Sequence, residues 1–405
     1  MAHKRSLVGS GCQGIRQASD VQKRAQDEKI GVMTAAKRSY DAVCGVKHIK
    51  VKGEHMRPSQ TAMSPSVSIV IPCRNEKNGI DQCLKSVMEQ EWCGDFEIVV
   101  VDGMSDDGTR EILDRISKEH TQIRIVDNPK LYMPSAVNIG IRASQGQYIA
   151  IMGAHNRYAR DYLRQCVETL EQKQVDNVGG SMICIGDSYL QQVIALAHHS
   201  ALACGGARWR NPYYEGPCDT VFGGVYRRDV FERIGLFDEE LVRNQDDELN
   251  LRLRAAGGTI WHCPRAKSWY TPRKSVRKLF SQYLQYGYWR VRVIQKHGRV
   301  PSVRHVIPAA FVLSQLALPF LSLWFAIAGW MWVTVLGAYS FAVGSVSILT
   351  AGRHGWRFLW MFPAVLVCHH VAYGLGFLHG VLDFLLLRRA PRPAYSKLTR
   401  TSGTT

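Results

Sequence analysis

Apolar, largely β-branched residues run almost without interruption at 67–71 and again at 98–101. Continuous runs of this length, rather than alternating ones, suit strands buried on both faces of a parallel sheet. Between them Ile80, Cys83, Leu84, Val87 and Met88 recur at helical spacing, so the stretch reads as strand–helix–strand. Ligands of such units gather at the carboxyl ends of the strands. There the chain places Pro72, Arg74, Asn75 and Glu76 after the first strand, and Asp102, Gly103, Ser105, Asp106, Asp107 and Gly108 after the second. The pattern continues with a helix over 110–118, a strand at 123–126 and a small-residue helical face at Ala136, Ile139, Gly140 and Ala143. A strand at 148–152 then ends in Gly153, Ala154, His155 and Asn156. Three polar strand ends of this kind predict one site rather than three separate loops.

Farther along, the periodicity predicts an amphipathic helix over 158–172, a strand at 178–185 and a helical segment at 188–203. A long loop at 204–218, rich in Gly, Arg, Pro and aromatic residues, is of the kind that carries function. A strand at 220–226 precedes a helix at 228–234, with Asp229 as its expected cap. A helix at 249–256 closes on Gly257 and Gly258, followed by a strand at 259–263 and a basic turn at 269–274. The helix over 277–299 mixes Leu279, Tyr283, Tyr286, Trp289 and Val293 with Arg290, Arg292, Lys296 and Arg299. That mix predicts a helix lying in a membrane interface, in preference to one covering the sheet.

Uncharged runs at 306–328 and 330–350, and a third at 358–387 interrupted by His369, His370, Gly374 and Asp383, are each long enough to cross a bilayer. Basic residues flank them all: Arg304, then Arg353 and Arg357, then Arg388, Arg389 and Arg392. The positive-inside rule sends every cluster to the cytoplasm, which three simple spans do not satisfy. The third run is therefore either a re-entrant hairpin or a single span that breaks the rule.

Charge narrows the partners. Lys and Arg number 51 against 34 Asp and Glu, a formal +17, which predicts attraction to nucleic acid, acidic headgroups or nucleotide diphosphates. No nucleic-acid-binding motif accompanies the charge, so no nucleic acid partner is expected. Eleven cysteines, with no CxxC pair and no finger spacing, read as reduced, mostly buried thiols of a cytosolic domain. Residues 1–63 are basic and polar, contain no apolar core of a signal peptide and are expected to be disordered. A chain that starts at Met63 is expected to keep full activity.

The motifs IVIPCRNE, VVVDGMSDDGT, PSAVNIGIRASQGQYIAIMGAH, GGVYRRDVFERIGLFDEEL, NQDDELNLRLRAAG and SWYTPR with QYLQYGYWR occur in this order between Val67 and about His297. Together they resemble a family 2 glycosyltransferase of the GT-A fold, of the bacterial exopolysaccharide, succinoglycan-type kind. The resemblance implies an α/β nucleotide-diphospho-sugar transferase domain followed by a transmembrane helical region. The expected division is a leader at 1–63, a catalytic domain at 64–275, an amphipathic interfacial helix at 276–304, transmembrane or re-entrant helices at 305–388, and a basic cytoplasmic tail at 389–405.

It further implies inverting transfer of a sugar from a UDP-sugar, UDP-glucose or another UDP-hexose. The expected acceptor is a polyprenyl-diphosphate-linked saccharide at the cytoplasmic membrane. The family base falls on Asp246, with Gln245 in place of the usual Glu; crowding by Asp247 and Glu248 suits a proton acceptor. The family's Asp-x-Asp metal motif here reads Gly153-Ala154-His155. His155 is the expected ligand of Mn²⁺ or Mg²⁺, and the first Asp is missing. Pro72, Asn75, Glu76, Asp102 and Gly153 correspond to nucleotide-sugar contacts, and Asp107 is expected to order its own turn. Asp238, Arg273, Gln285, Trp289 and Arg290 are candidates for acceptor or phosphate contacts. Processive members carry Gln-x-x-Arg-Trp, whereas Gln285 to Trp289 has Tyr288 where the Arg belongs, which points to addition of one sugar. Two rivals remain: a processive synthase, and a nucleotide-sugar-binding partner subunit with impaired catalysis, the latter supported by Gly153.

Overall fold

The computed structural model describes residues 66–396. The expected disordered leader therefore lies outside the described residues, as does the end of the basic tail. In chain order the elements are β1 (Val67–Cys73), α1 (Ile80–Met88), β2 (Phe96–Asp102), α2 (Thr109–Glu119), β3 (Ile123–Asp127), α3 (Met133–Ala143), β4 (Tyr148–Ile151), β5 (Asn156–Tyr158), α4 (Tyr162–Lys173) and β6 (Asn177–Cys184). Then come α5 (Tyr189–His198), α6 (Ala201–Cys204), β7 (Gly216–Pro217), β8 (Phe222–Arg227), α7 (Asp229–Ile234), α8 (Gln245–Ala255), β9 (Ile260–Tyr270), α9 (Val276–His297), α10 (Ile307–Leu321), α11 (Ala326–His354) and α12 (Phe362–Gly380).

One mixed sheet runs in the order β3-β2-β1-β4-β8-β6-β9-β5, with β7 paired to β9. The first four strands are parallel, and the register sets Cys73 beside Asp102 at the carboxyl ends of β1 and β2. Helices α1, α2 and α4 pack Leu84, Leu113, Leu163 and Leu170 on one face of the sheet. Helices α3, α7 and α8 pack Val137, Phe231, Leu249 and Leu253 on the other. This three-layer arrangement is the GT-A-type α/β fold. Among the described residues nine cysteines are free thiols, five of them buried and none disulfide-bonded.

Local boundaries differ from the sequence reading where tertiary pairing overrides propensity. Residues 156–158 join β9 as an antiparallel strand instead of opening α4. The segment at 188–203 breaks into α5 and α6 around His199. Asp229 is not a cap: it is the first helical residue and forms an ion pair with Arg233 at 3.3 Å. Strand β9 continues past Pro264 to Tyr270, because a bulge in its pairing with β6 absorbs residues between Cys263 and Lys267. Helix α8 starts at Gln245, so Asp246 and Asp247 stand in its first turn.

The largest departure is α9. Its residues Leu279, Tyr283, Tyr288, Trp289, Val291 and Val293 are buried. They join two clusters, one with Val193 and Ile194 of α5 and Phe362, Val365 and Leu366, the other with Leu241, Val242 and Leu251 and Phe377 and Phe384. The helix is thus a joint between the sheet domain and α12, not a helix with its apolar face open to lipid. A Cβ on Gly287 would overlap the Tyr373 carbonyl, and one on Gly376 would overlap the Leu284 carbonyl. Small residues at both places allow the two backbones to touch.

Three helical segments are long and apolar enough to cross a membrane: Val303–Leu321, Ala326–His354 and Phe362–Leu386. The first two are 11% buried and the third 50%. The third is one helix continued by a π turn, so the re-entrant hairpin expected as one option at 358–387 is not formed. At its start Tyr189 of α5 stacks on Phe358. At its end Tyr288 of α9 donates to Asp383 at 3.0 Å. Both ends of α12 therefore touch the α/β body and α9. The basic clusters do the same: Arg304 pairs with Asp219, Arg357 donates to Gln192 at 3.1 Å, and the Arg392 amide donates to the Tyr288 hydroxyl at 3.1 Å. The tip between α10 and α11 exposes Phe320, Leu323, Trp324, Phe325, Ile327 and Trp330.

Candidate active site

The strand ends converge on a cavity of about 870 Å³. Its wall includes Pro72, Arg74 and Glu76 after β1, Gly153, Ala154 and His155 after β4, and Asn244 to Asp247 at the start of α8. Tyr270 and Arg273 follow from β9, and Gln282, Tyr283, Tyr286 and Arg290 from α9. The single pocket expected from three polar strand ends thus receives two of them directly.

The third, after β2, stands behind the first. Asp102 is 1% exposed and accepts from the Ser105 amide at 3.2 Å and its hydroxyl at 2.6 Å, with Arg110 at 3.4 Å. It is not part of the cavity wall. Asn75, also off the wall, accepts from the Asp106 amide at 3.0 Å, and its own amide donates to the Ser105 hydroxyl at 3.0 Å. The Glu76 amide donates to the Thr109 hydroxyl at 2.8 Å, and Asp107 accepts from the Thr109 amide at 3.0 Å. Arg74 donates to the carbonyls of Gly103 and Met104. These bonds zip the two loops together, so Asp102 and Asn75 shape the wall that Pro72 and Glu76 present.

At the end of β4, His155 keeps 34% of its side chain open, and its Nδ1 lies 3.3 Å from Glu76 Oε1. Enclosure in the wall, with the Arg273 charge second, pulls its pKa down to about 4, so the ring is neutral near pH 7. A carboxylate only accepts, so a proton on Nδ1 would face Glu76 and leave Nε2 with its lone pair. Carboxylate support of this kind is what orients a metal-binding imidazole. Among the described residues no three His, Cys, Asp or Glu side chains converge into a cage. One imidazole donor fits only a cation held mainly by phosphate oxygens and water, for which His155 would be the protein ligand. A Cβ at Gly153 would stand 2.6 Å from Asn156 Nδ2, and the Gly153 amide already donates to the Tyr158 hydroxyl at 2.7 Å.

Across the cavity, Asn244 adopts a left-handed conformation with φ 61° and donates to the Tyr286 carbonyl at 2.9 Å, tying the start of α8 to α9. Burial, followed by the neighbouring Asp247, raises Asp246 from the usual carboxylate range to about 6. Burial also pushes Asp247 up, but its ion pair with Arg290 more than offsets this and holds it low. Glu248 does not crowd Asp246 as the sequence suggested: it turns to Arg252 at 2.9 Å and His297 at 3.0 Å. One ionised neighbour and one proton-retaining carboxyl side by side suit a general base.

The acceptor candidates divide. Arg273 and Arg290 line the cavity. Asp238 is outside the wall and paired with Lys296. Gln285 is buried and accepts from Arg243 at 3.0 Å, away from the wall. Trp289 is 1% exposed and donates to the Tyr395 carbonyl at 3.0 Å, so it neither stacks on a sugar nor anchors at headgroups. These three hold α9 in place. Sequence reasoning missed Arg210 and Arg304 as wall residues; the arginine-rich loop at 204–218 was the available signal for the first and the basic flank of the apolar run at 306–328 for the second.

Comparison with known proteins agrees with this geometry. The chain is 31% identical over 330 residues to the succinoglycan biosynthesis protein ExoA of Rhizobium meliloti, covering 80% of this chain and 98% of that protein. It is 30% identical over 241 residues to a dolichyl N-acetyl-glucosaminyl phosphate glucuronosyltransferase of Methanococcus voltae, covering 57% of this chain and 74% of the relative. A mannosyltransferase from Pyrobaculum calidifontis, solved in complex with GDP-Man and Mn²⁺, shares the fold with a TM-score of 0.51 at 19% identity, over 85% of this chain and 94% of that one. Residues 68–235 match Glycosyl transferase family 2. With strand-end loops, a perturbed carboxylate and near full-length similarity in agreement, the chain belongs to glycosyl transferase family 2 and is a glycosyltransferase.

Proposed function

We propose that this glycosyltransferase moves one hexosyl group, glucose or another hexose, from a UDP-sugar to a lipid-linked saccharide, with inversion, in exopolysaccharide synthesis. The observation that carries the reading is the cavity itself. It joins the strand-end loops to Asp246 at one end and reaches helices of membrane-spanning length at the other. Exopolysaccharide and lipid-linked relatives support it.

In this reading the β1 loop, braced by Asp102 and Asn75, holds the nucleoside against Pro72 and Glu76. Asp246 takes the proton from the acceptor hydroxyl as that oxygen attacks the anomeric carbon from the face opposite the leaving diphosphate. Arg273, which lines the cavity, supplies the positive charge that meets the leaving group. His155 would be the residue to hold a divalent cation, which when bound would add neutralising charge for the diphosphate. Glu76, 3.3 Å from Nδ1, would orient the ring for that role.

Incubation of membranes containing the protein with a panel of UDP-sugars and Mn²⁺, followed by mass spectrometry of the glycolipid, tests the proposal. Binding of UDP without cleavage of any UDP-sugar, whatever lipid acceptor is supplied, supports the impaired-partner reading instead. A second test addresses the metal. His155→Ala is expected to raise the Mn²⁺ concentration for half-maximal activity about 10- to 100-fold, and Glu76→Gln to act in the same direction. An unchanged Mn²⁺ titration removes His155 from the metal site.

The proposed membrane arrangement places the α10–α11 hairpin across the bilayer and α12 beside α9 on the cytoplasmic side. Single cysteines at Leu323 and Ala390 are expected to react with impermeant maleimide from opposite sides in a cysteine-depleted background. Labelling of both from one side refutes the hairpin crossing.

A further inference from the structure

The cavity continues beyond the strand-end loops to Ile307, Pro308 and Phe311 of α10 and its flank, Tyr339 of α11 and His370 of α12. Arg210 stands in its wall, in the loop between α6 and β7. The guanidinium lies over the Trp209 ring at 4.1 Å, and Nη1 is buried without a hydrogen-bond partner.

Other arginines of the wall are already engaged. Arg290 is paired with Asp247, Arg304 with Asp219, and Arg74 with two loop carbonyls. No ion pair to Arg210 exists among the described residues. The titratable groups that feel its charge are Tyr270, Tyr283, Tyr286, Cys184, Cys204, His198, His199 and His369. Burial holds Tyr270, Tyr283, Cys184 and Cys204 in their neutral forms. His198 is likewise kept from charging, first by burial and then by Arg210 itself. An enclosed cation without a counter-charge is costly, so the site is built for an anion that arrives with a ligand.

We propose that Arg210 is the phosphate-binding residue for the lipid acceptor, its planar fork meeting the phosphate while the prenyl chain leaves past Phe311 and Tyr339. This rests on the lipid-linked acceptor of the proposed function and adds the residue that recognises it. The donor diphosphate is the other source of such a group. Position favours the acceptor: Arg210 neighbours α9 and α12 residues, whereas the nucleotide loops lie at the ends of β1 and β4. Guanidinium geometry matches phosphate oxygens in a two-pronged contact, which an ammonium reproduces only as a point charge.

The test is a binding measurement on the full chain in detergent micelles, with farnesyl diphosphate and farnesol as probes and saturating UDP to occupy the donor site. The wild type is expected to prefer farnesyl diphosphate to farnesol at least tenfold. Arg210→Gln is expected to weaken farnesyl diphosphate by about 10- to 100-fold. It should leave farnesol unchanged and UDP affinity, measured separately, within twofold. Arg210→Lys retains part of the preference. Retained UDP binding certifies the fold of each variant. The proposal is overturned if the wild type shows no preference for the diphosphate, if Arg210→Gln keeps that preference, or if the variant loses UDP affinity to the same extent. None of these readouts requires turnover, so failure of the transfer assay tells against the proposed reaction and not against this site.

Discussion

Asp246→Asn is expected to lower the rate of sugar transfer by about 10²- to 10⁴-fold while UDP affinity stays within twofold. The substitution preserves shape and removes the one oxygen that accepts the hydroxyl proton. Nothing in the nucleotide loops depends on it: those loops are held by bonds among Asp102, Ser105, Asn75 and Thr109. Single-turnover glycolipid formation beside calorimetric UDP binding separates the two effects. A parallel loss of both would mean that Asp246 serves binding.

The same residue sets a pH dependence. Its ionised form is the active one, and its pKa is raised to about 6. The rate constant kcat/KM is therefore expected to be flat near neutral pH and to fall about tenfold per unit below pH 6. A profile flat through pH 5 would exclude a base with this environment.

Arg290→Gln is the second large effect, and it acts on both stability and this profile. Arg290 is the charge that holds Asp247 down, and it also lowers Asp246. Both side chains of the pair are largely buried, at 9% and 22% exposure. Removing one partner leaves a buried carboxylate unpaired, a loss of about 3 kcal/mol. The sign with pH follows. In the wild type the depressed Asp247 stabilises the fold above its unfolded pKa and loses that contribution as pH falls. In the variant Asp247 is raised instead, so stability declines as pH rises. Thermal unfolding from pH 5 to 8 is expected to show the gap to wild type widening with pH. The acid limb of activity is expected to move toward neutrality, and an unmoved limb would break the link between Arg290 and the base.

The core of the fold was legible because its signals are local. The apolar runs that became β1 and β2 and the 80–88 helix need only their own periodicity to be read. Asp246 and His155 were reached through motif order and the family resemblance, and both line the one cavity. What misled was burial by distant segments. The aromatic, basic pattern of α9 is the same whether the partner is lipid or protein; α12, far along the chain, covers it. Trp289, Gln285 and Asp238 looked like ligand contacts for the same reason and turned out to hold α9. The loop after β2 carries the right residues for a nucleotide site, but pairing with the β1 loop turns Asp102 inward.

By itself the sequence determined the strands and helices of the parallel unit, the helical module of membrane-spanning length and the residue types at each strand end, since periodicity and turn chemistry act within a few residues. Tertiary structure alone decided which polar groups face the cavity, that a side chain at residue 153 would press on the Asn156 amide, and that Arg210 has no ion-pair partner among the described residues. Those outcomes depend on contacts between residues far apart in the chain, where shape and charge are settled by whichever segment packs against them.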